Sequence, residues 1–168
     1  MIAPELLKDL FVAFPTGVTV VTAIDQDGTP TGLTAGSFAG VSLDPPLMGL
    51  SISNSSRTLA AIRARGSYGV HILGDWQAPV ARRFGSDAAN KFSGVAHRMD
   101  GSGVPCIDDC LRSIVCDLET EYPGGDHSII LGRILELNPT GHDRETGSPL
   151  VYSFRQYHSV GAPVQPTD

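Results

Sequence analysis

The feature that most constrains this chain is a succession of short, β-branched, apolar segments separated by turn signals rather than by helices. Val18, Val20 and Val21 open the first such run, Asp25-Gln26-Asp27-Gly28 is a turn signal, and residues 31–38 can form the return strand. Pro45-Pro46 interrupts, and residues 47–52 resume as a strand. Residues 68–73 read as a further strand. Residues 114–122 and 128–137 read as two more, joined by Pro123-Gly124-Gly125-Asp126, and residues 150–154 as a short closing one. A doubly wound α/β sheet needs strands and helices in alternation, and a dinucleotide-binding version carries G-x-G-x-x-G; neither pattern is present. The predicted fold class is therefore mostly β, an antiparallel barrel with a few peripheral helices.

The helices are few and short. Leu6, Leu7, Leu10, Phe11 and Phe14 recur at helical spacing, which predicts an amphipathic helix over about residues 3–13, closed before Pro15. Asn54-Ser55-Ser56 caps a second helix with Leu59 and Ile62 on its apolar face and Gly66 past its end. Residues 76–84 suit a third. Residues 86–105 are polar and contain glycine, a long excursion of the kind that is functional or mobile. With 168 residues there is room for one ordinary domain, taken as residues 1–160, and residues 161–168 read as a flexible C-terminal tail.

Charge and composition exclude several function classes. The net charge is −6, and the densest basic pairs, Arg63/Arg65 and Arg82/Arg83, are too short to follow a phosphate backbone, so nucleic acid is not an expected partner. Glu5, Lys8 and Asp9 interrupt any signal-peptide core, and no apolar run reaches membrane-spanning length, so no membrane partner is expected and the chain reads as cytoplasmic. Cys106, Cys110 and Cys116 have neither paired C-x-x-C spacing nor an even count, which predicts buried thiols and no metal.

Four segments can carry chemistry, and each also has a plain structural reading. Thr34-Ala35-Gly36-Ser37-Phe38 is small and hydroxylated, letting a flat ring lie close to the main chain, although such residues also soften strand ends. Ser51-Ile52-Ser53-Asn54-Ser55-Ser56-Arg57-Thr58 runs from a strand into a helix start, where free N–H groups, hydroxyls and a guanidinium suit a phosphate; Asn54 or Ser55 as a simple N-cap is the alternative. Gly124-Gly125-Asp126-His127 can present an imidazole from a hairpin, or be an ordinary turn. Asn90-Lys91-Phe92-Ser93-Gly94 can offer Lys91 to a phosphate and Phe92 to an aromatic ring, or a solvated lysine and a core anchor. His71, His97, His142 and His158 show no ligand spacing.

Taken in order, these motifs resemble the flavin reductase-like family, the reductase components of two-component flavin-dependent monooxygenases. Phe14-Pro15-Thr16-Gly17-Val18-Thr19-Val20-Val21-Thr22 is similar to its opening strand. Gly32 to Phe38 with Val41 to Leu47 is similar to its flavin-ring segment, and Asn54 to Thr58 to its phosphate segment. Phe84 with Lys91-Phe92, Gly125-Asp126-His127 with Gly132, and Pro149 to Tyr152 with Tyr157 complete the likeness over about residues 10–160. The resemblance implies an FMN-binding split β-barrel, a homodimer with flavin sites near the subunit interface, and reduction of FMN or FAD by NADH or NADPH for a separate oxygenase component. It implies that Thr34, Ala35, Gly36, Ser37 and Phe38 line the flavin ring, Gly36 through its main-chain amide because many members carry a polar side chain there. Ser53, Asn54, Ser56 and Thr58 would hold the ribityl and phosphate end with Lys91 and Phe92, and His127 would position the nicotinamide. The alternatives are another flavoenzyme on the same barrel, a flavin-binding electron-transfer module without nicotinamide activity, or a barrel for an unrelated apolar ligand.

Overall fold

The computed structural model describes residues 2–138 and 147–161, so the predicted tail beyond Gly161 and His142 lie outside the described residues. The β-branched run becomes strand β2 (Thr19–Ile24), buried along its whole length. A turn in which the Asp25 carboxylate accepts from the N–H groups of Asp27 and Thr29 (3.0 and 2.8 Å) returns the chain into β3 (Pro30–Ala35). Gly28 sits at φ +81° in that turn, a conformation that costs a side-chain-bearing residue energy.

A short strand β4 (Ala39–Leu43) leads through the Pro45-Pro46 turn into β5 (Pro46–Ser53). Strands β6 (Ser67–Ile72), β9 (Arg112–Gly124) and β10 (His127–Asn138) complete a sheet of order β3-β2-β6-β9-β10-β5-β4, with every pairing antiparallel. One face encloses Val21, Met48, Leu50, Ile52, Tyr68, Val70 and Ile130. Across the seam between β3 and β5, the Ser37 hydroxyl donates to the Ser51 carbonyl and accepts from the Ser51 N–H, both at 3.0 Å.

Helix α2 (Arg57–Arg65) plugs this core with Leu59 and Ile62. Its first turn is capped by the Ser56 hydroxyl, which accepts from the Leu59 N–H, and it ends on Gly66 at φ +80°. A second core forms where a short 3₁₀ turn (Asp75–Gln77) and α3 (Ala78–Phe84) lie over a small sheet of β1 (Thr16–Gly17), β11 (Leu150–Ser153) and β12 (Gln156–Ser159). Phe84 and Phe92 meet there edge to face, with ring centroids 5.0 Å apart, and Val18, Leu73 and Leu150 close around them. Burying each phenyl ring contributes about 1.5–3 kcal/mol.

Three elements depart from the sequence expectation. The return strand stops at Ala35 rather than Phe38, and β4 follows it. A final strand, β12, lies beyond residue 154. The polar excursion is tied down by Phe92 and by a hairpin of β7 (His97–Met99) and β8 (Pro105–Ile107). Helix α1 (Pro4–Ala13) buries no residue. None of the described helices is long and apolar enough to cross a membrane.

Candidate functional site

At the β3–β5 seam opens a cleft of about 980 Å³. One wall is β3 with the segment after it, contributing Leu33, Thr34, Ala35, Gly36 and Ser37. The facing wall is the end of β5 and the start of α2, contributing Ser51, Ile52, Ser53 and Ser56. Strand β3 pairs on one side only, with β2, so its other edge offers unpaired main-chain donors and acceptors to whatever occupies the cleft. Helix α1 roofs it with Leu7 and Phe11, while Phe84, Asp87 and Lys91 close another side and Gly124, Asp126 and His127 stand at the hairpin end.

The cleft continues into a 330 Å³ extension lined by Thr31, Ser55, Ser56, Arg57, Thr58 and Lys91. Buried Thr58 and Thr31 share a hydrogen bond of 3.3 Å there. The Lys91 ammonium donates to the Phe84 carbonyl (2.9 Å), and partial burial, followed by the positive charge of Arg57, holds it below the ordinary lysine value; Asp87 partly offsets this. Arg57 forms no ion pair among the described residues, in contrast to Arg63, Arg98, Arg133 and Arg155. Two cations without a dedicated carboxylate, beside the free N–H groups of α2, form a receptor for an anion.

His127 begins β10, facing Ser53 of β5 and Gly124 of β9 in register. Its Nδ1 lies 2.7 Å from the Asp126 carboxylate, and that bond, followed by the imidazole's charge, holds the Asp126 carboxyl below its usual range. Nδ1–H therefore donates to that carboxylate, and the ring belongs to the cleft lining.

Thr34, Ala35, Gly36, Ser37, Ser53, Ser56, Lys91 and His127 thus share one cleft, with Thr58 in its extension. The Thr34 hydroxyl is committed to the Ala81 carbonyl at 2.7 Å, which leaves its main chain for a ligand. Three expected residues, Phe38, Phe92 and Asn54, are not among those lining the cleft or its extension. Phe38 packs on the barrel core, because the turn into β4 carries it away from the cleft. Phe92 is 6% exposed and supports Phe84 from beneath. The Asn54 side chain bonds Gly125 and Ser128.

The sequence reading missed Leu7 and Phe11. The signal lies in the helix's two apolar stripes: Leu7 and Phe11, four residues apart, line the cleft, and Leu6 and Leu10 do not; Phe11, like Leu6 and Leu10, is about two-thirds exposed.

Comparison with known proteins identifies relatives of this fold. Residues 11–161 match the family described as flavin reductase like domain. A flavin reductase of Pseudomonas putida is 38% identical over 142 residues, covering 84% of each chain. Among solved structures, nitrilotriacetate monooxygenase component B from Mycobacterium thermoresistibile superposes with a TM-score of 0.87 at 33% identity, covering 98% of this chain and 92% of that one. The NADH:FAD oxidoreductase of Streptomyces globisporus, solved in complex with NAD and FAD fragments, gives a TM-score of 0.86 at 28% identity over 98% and 99% of the two chains. The family match over residues 11–161 and the 38% identity across most of both chains show that this chain belongs to the flavin reductase-like family.

Proposed function

We propose that this protein is an NAD(P)H-dependent flavin reductase that takes FMN or FAD in the β3–β5 cleft and supplies reduced flavin to a separate oxygenase component. The observation that carries the reading is the convergence, in one cleft, of an open strand edge, a two-cation anion receptor and a half-exposed imidazole. The cleft volume lies at the upper end of the usual range for a cofactor site, about 300–1,000 Å³, which leaves room for a nicotinamide beside a flavin ring. The two cations that lack a carboxylate partner suit the flavin phosphate, and the open edge suits its polar ring atoms.

A bound flavin would supply a ring able to accept a hydride from a reduced nicotinamide. The protein's own contribution is placement. Main-chain groups from Ala35 to Ser37 hold the ring edge, and Gly36 is required in that segment because a side chain there would collide with Thr16. Ser56, Arg57, Thr58 and Lys91 hold the phosphate end. Leu7 and Phe11 line one side of the cleft, and His127 orients the nicotinamide from the hairpin. Oxidation of NADH and of NADPH, measured with and without added FMN or FAD, is the test. Flavin-dependent oxidation by either donor is expected, and its absence with both would overturn the reading.

The working form we propose is a homodimer. Leu6, Leu10, Phe11 and Phe14 on and beside α1 are each about two-thirds exposed, and Leu43 on β4 is 97% exposed. Contiguous apolar faces of this kind mark protein contacts, and the structural relatives share this fold across nearly their whole length. Light scattering is expected to read twice the chain mass of 17.7 kDa.

A further inference from the structure

The turn that presents His127 is held from outside its own hairpin. The main-chain N–H of Asn54 donates to the Asp126 carbonyl at 3.0 Å. Its side-chain Nδ2 donates to the Gly125 carbonyl at 3.0 Å, and its Oδ1 accepts from the Ser128 hydroxyl at 2.8 Å. One residue thus grips the chain on both sides of His127. The Ser128 hydroxyl has a single hydrogen, given to Asn54, so it receives the Arg63 guanidinium (3.1 Å) as an acceptor. Arg63 in turn forms a bidentate pair with Glu121 on β9. The orientation of the Asn54 amide follows from the Gly125 carbonyl, which can only accept and so faces Nδ2, leaving Oδ1 to the Ser128 hydroxyl.

We propose that Asn54 is a positioning residue for the nicotinamide step: it fixes the hairpin turn that presents His127, and leaves the flavin phosphate to Ser56, Arg57, Thr58 and Lys91. The inference rests on the flavin reductase reading above. Its physical basis is that the ladder pairs His127 with Ser53 and Gly124 but leaves Gly125 and Asp126 beyond its end, where Asn54 supplies the hold. Asp126 is 94% exposed and Gly125 stands at φ +77°, so without the clamp the turn loosens and the Asp126 carboxylate that orients the His127 ring shifts. Asn54 itself contributes nothing to the cleft lining or its extension. Yet it adjoins α2, which carries both Arg57 and Arg63, so the anion receptor and the imidazole hairpin are fastened to one rigid element.

Asn54→Asp is the sharpest variant. It keeps the acceptor for Ser128 but sets an oxygen against the Gly125 carbonyl, where two acceptors repel. Asn54→Ala and Ser128→Ala loosen the same grip by deletion, and Ser128→Ala serves if Asn54→Ala fails to fold. Each is compared with His127→Ala and with the matching double variant. Flavin Kd is read by fluorescence quenching, and KM and kcat are read for the better nicotinamide donor.

For the Asn54 variants, nicotinamide KM is expected to rise roughly tenfold while flavin Kd stays within about twofold, and the double variant is expected to be no worse than His127→Ala. A tenfold weaker flavin Kd with unchanged nicotinamide KM would assign Asn54 to the phosphate and overturn the proposal, as would additive losses in the double variant. NMR resonances of the His127 ring give a readout independent of turnover. They are expected to move in Asn54→Asp, and unmoved resonances would overturn the clamp. Absence of turnover in the unmodified protein would overturn the reductase reading alone.

Discussion

Lys91 and Arg57 carry the sharpest chemical statement at the scale of single residues. Burial, and behind it the positive charge of Arg57, lowers the Lys91 pKa, and an anion beside the two cations relieves the second of these. Replacing either by alanine removes a charge-assisted contact of about 1.5–3 kcal/mol, so FMN is expected to bind roughly ten- to a hundredfold more weakly. Riboflavin, which lacks the phosphate, is expected to change little. Fluorescence titrations with the two flavins check this, and equal losses for both would remove the cations from the phosphate site. The hydroxyls around them were legible in the sequence because four of them and an arginine crowd a helix start that needs one cap. The role of Asn54 was not. Nothing local in its sequence says that its amide reaches a turn 71 residues away.

Elements differ in legibility for physical reasons. β2, β5 and β10 announce themselves because each buries apolar side chains that the sequence shows as β-branched runs or alternation. β4 buries none of its residues, and Ala39-Gly40-Val41-Ser42-Leu43 is a strand because the Pro45-Pro46 turn folds it back onto β5. β12 likewise exists by pairing with β11, through a turn in which Phe154 and Arg155 both have positive φ, which no simple Gly or Asn signal betrays. Helix α1 was legible as a helix but not as the roof of a cleft, since a helix with two apolar stripes does not say which one the molecule covers. If its outer stripe is the contact between two copies, Leu10→Glu is expected to shift the light-scattering mass toward the monomer while α1 keeps roofing the cleft with Leu7 and Phe11. An unchanged dimer in that variant would place the contact elsewhere.

The molecule as a whole shows its pH limits through His71. Fully buried between β2 and β9, its Nδ1 meets the Ser113 hydroxyl (2.7 Å) and its Nε2 meets the Thr22 hydroxyl (3.0 Å), whose own hydrogen goes to the Pro105 carbonyl. Nε2 is therefore the protonated nitrogen of a neutral ring. Burial, as the largest cause, lowers its pKa from 6.5 to about 4. Between those values the unfolded chain binds a proton that the folded chain refuses. The stabilisation is complete above about pH 6.5 and falls as pH drops toward 4, by about 3 kcal/mol in all. Urea midpoints measured across that window are expected to fall more steeply for the natural chain than for His71→Asn. Parallel curves would refute the assignment.

The sulfur atoms of Cys106, Cys110 and Cys116 lie among the buried side chains, and burial pushes the thiols of Cys110 and Cys116 up to about 12. At neutral pH about one such thiol in 10⁵ is ionised, and only the ionised form reacts readily with oxidants. A catalyst that releases reduced flavin works in the peroxide that flavin generates on meeting oxygen. By keeping every cysteine in the fatty interior, the fold makes the protein resistant to poisoning by the by-product of its own turnover.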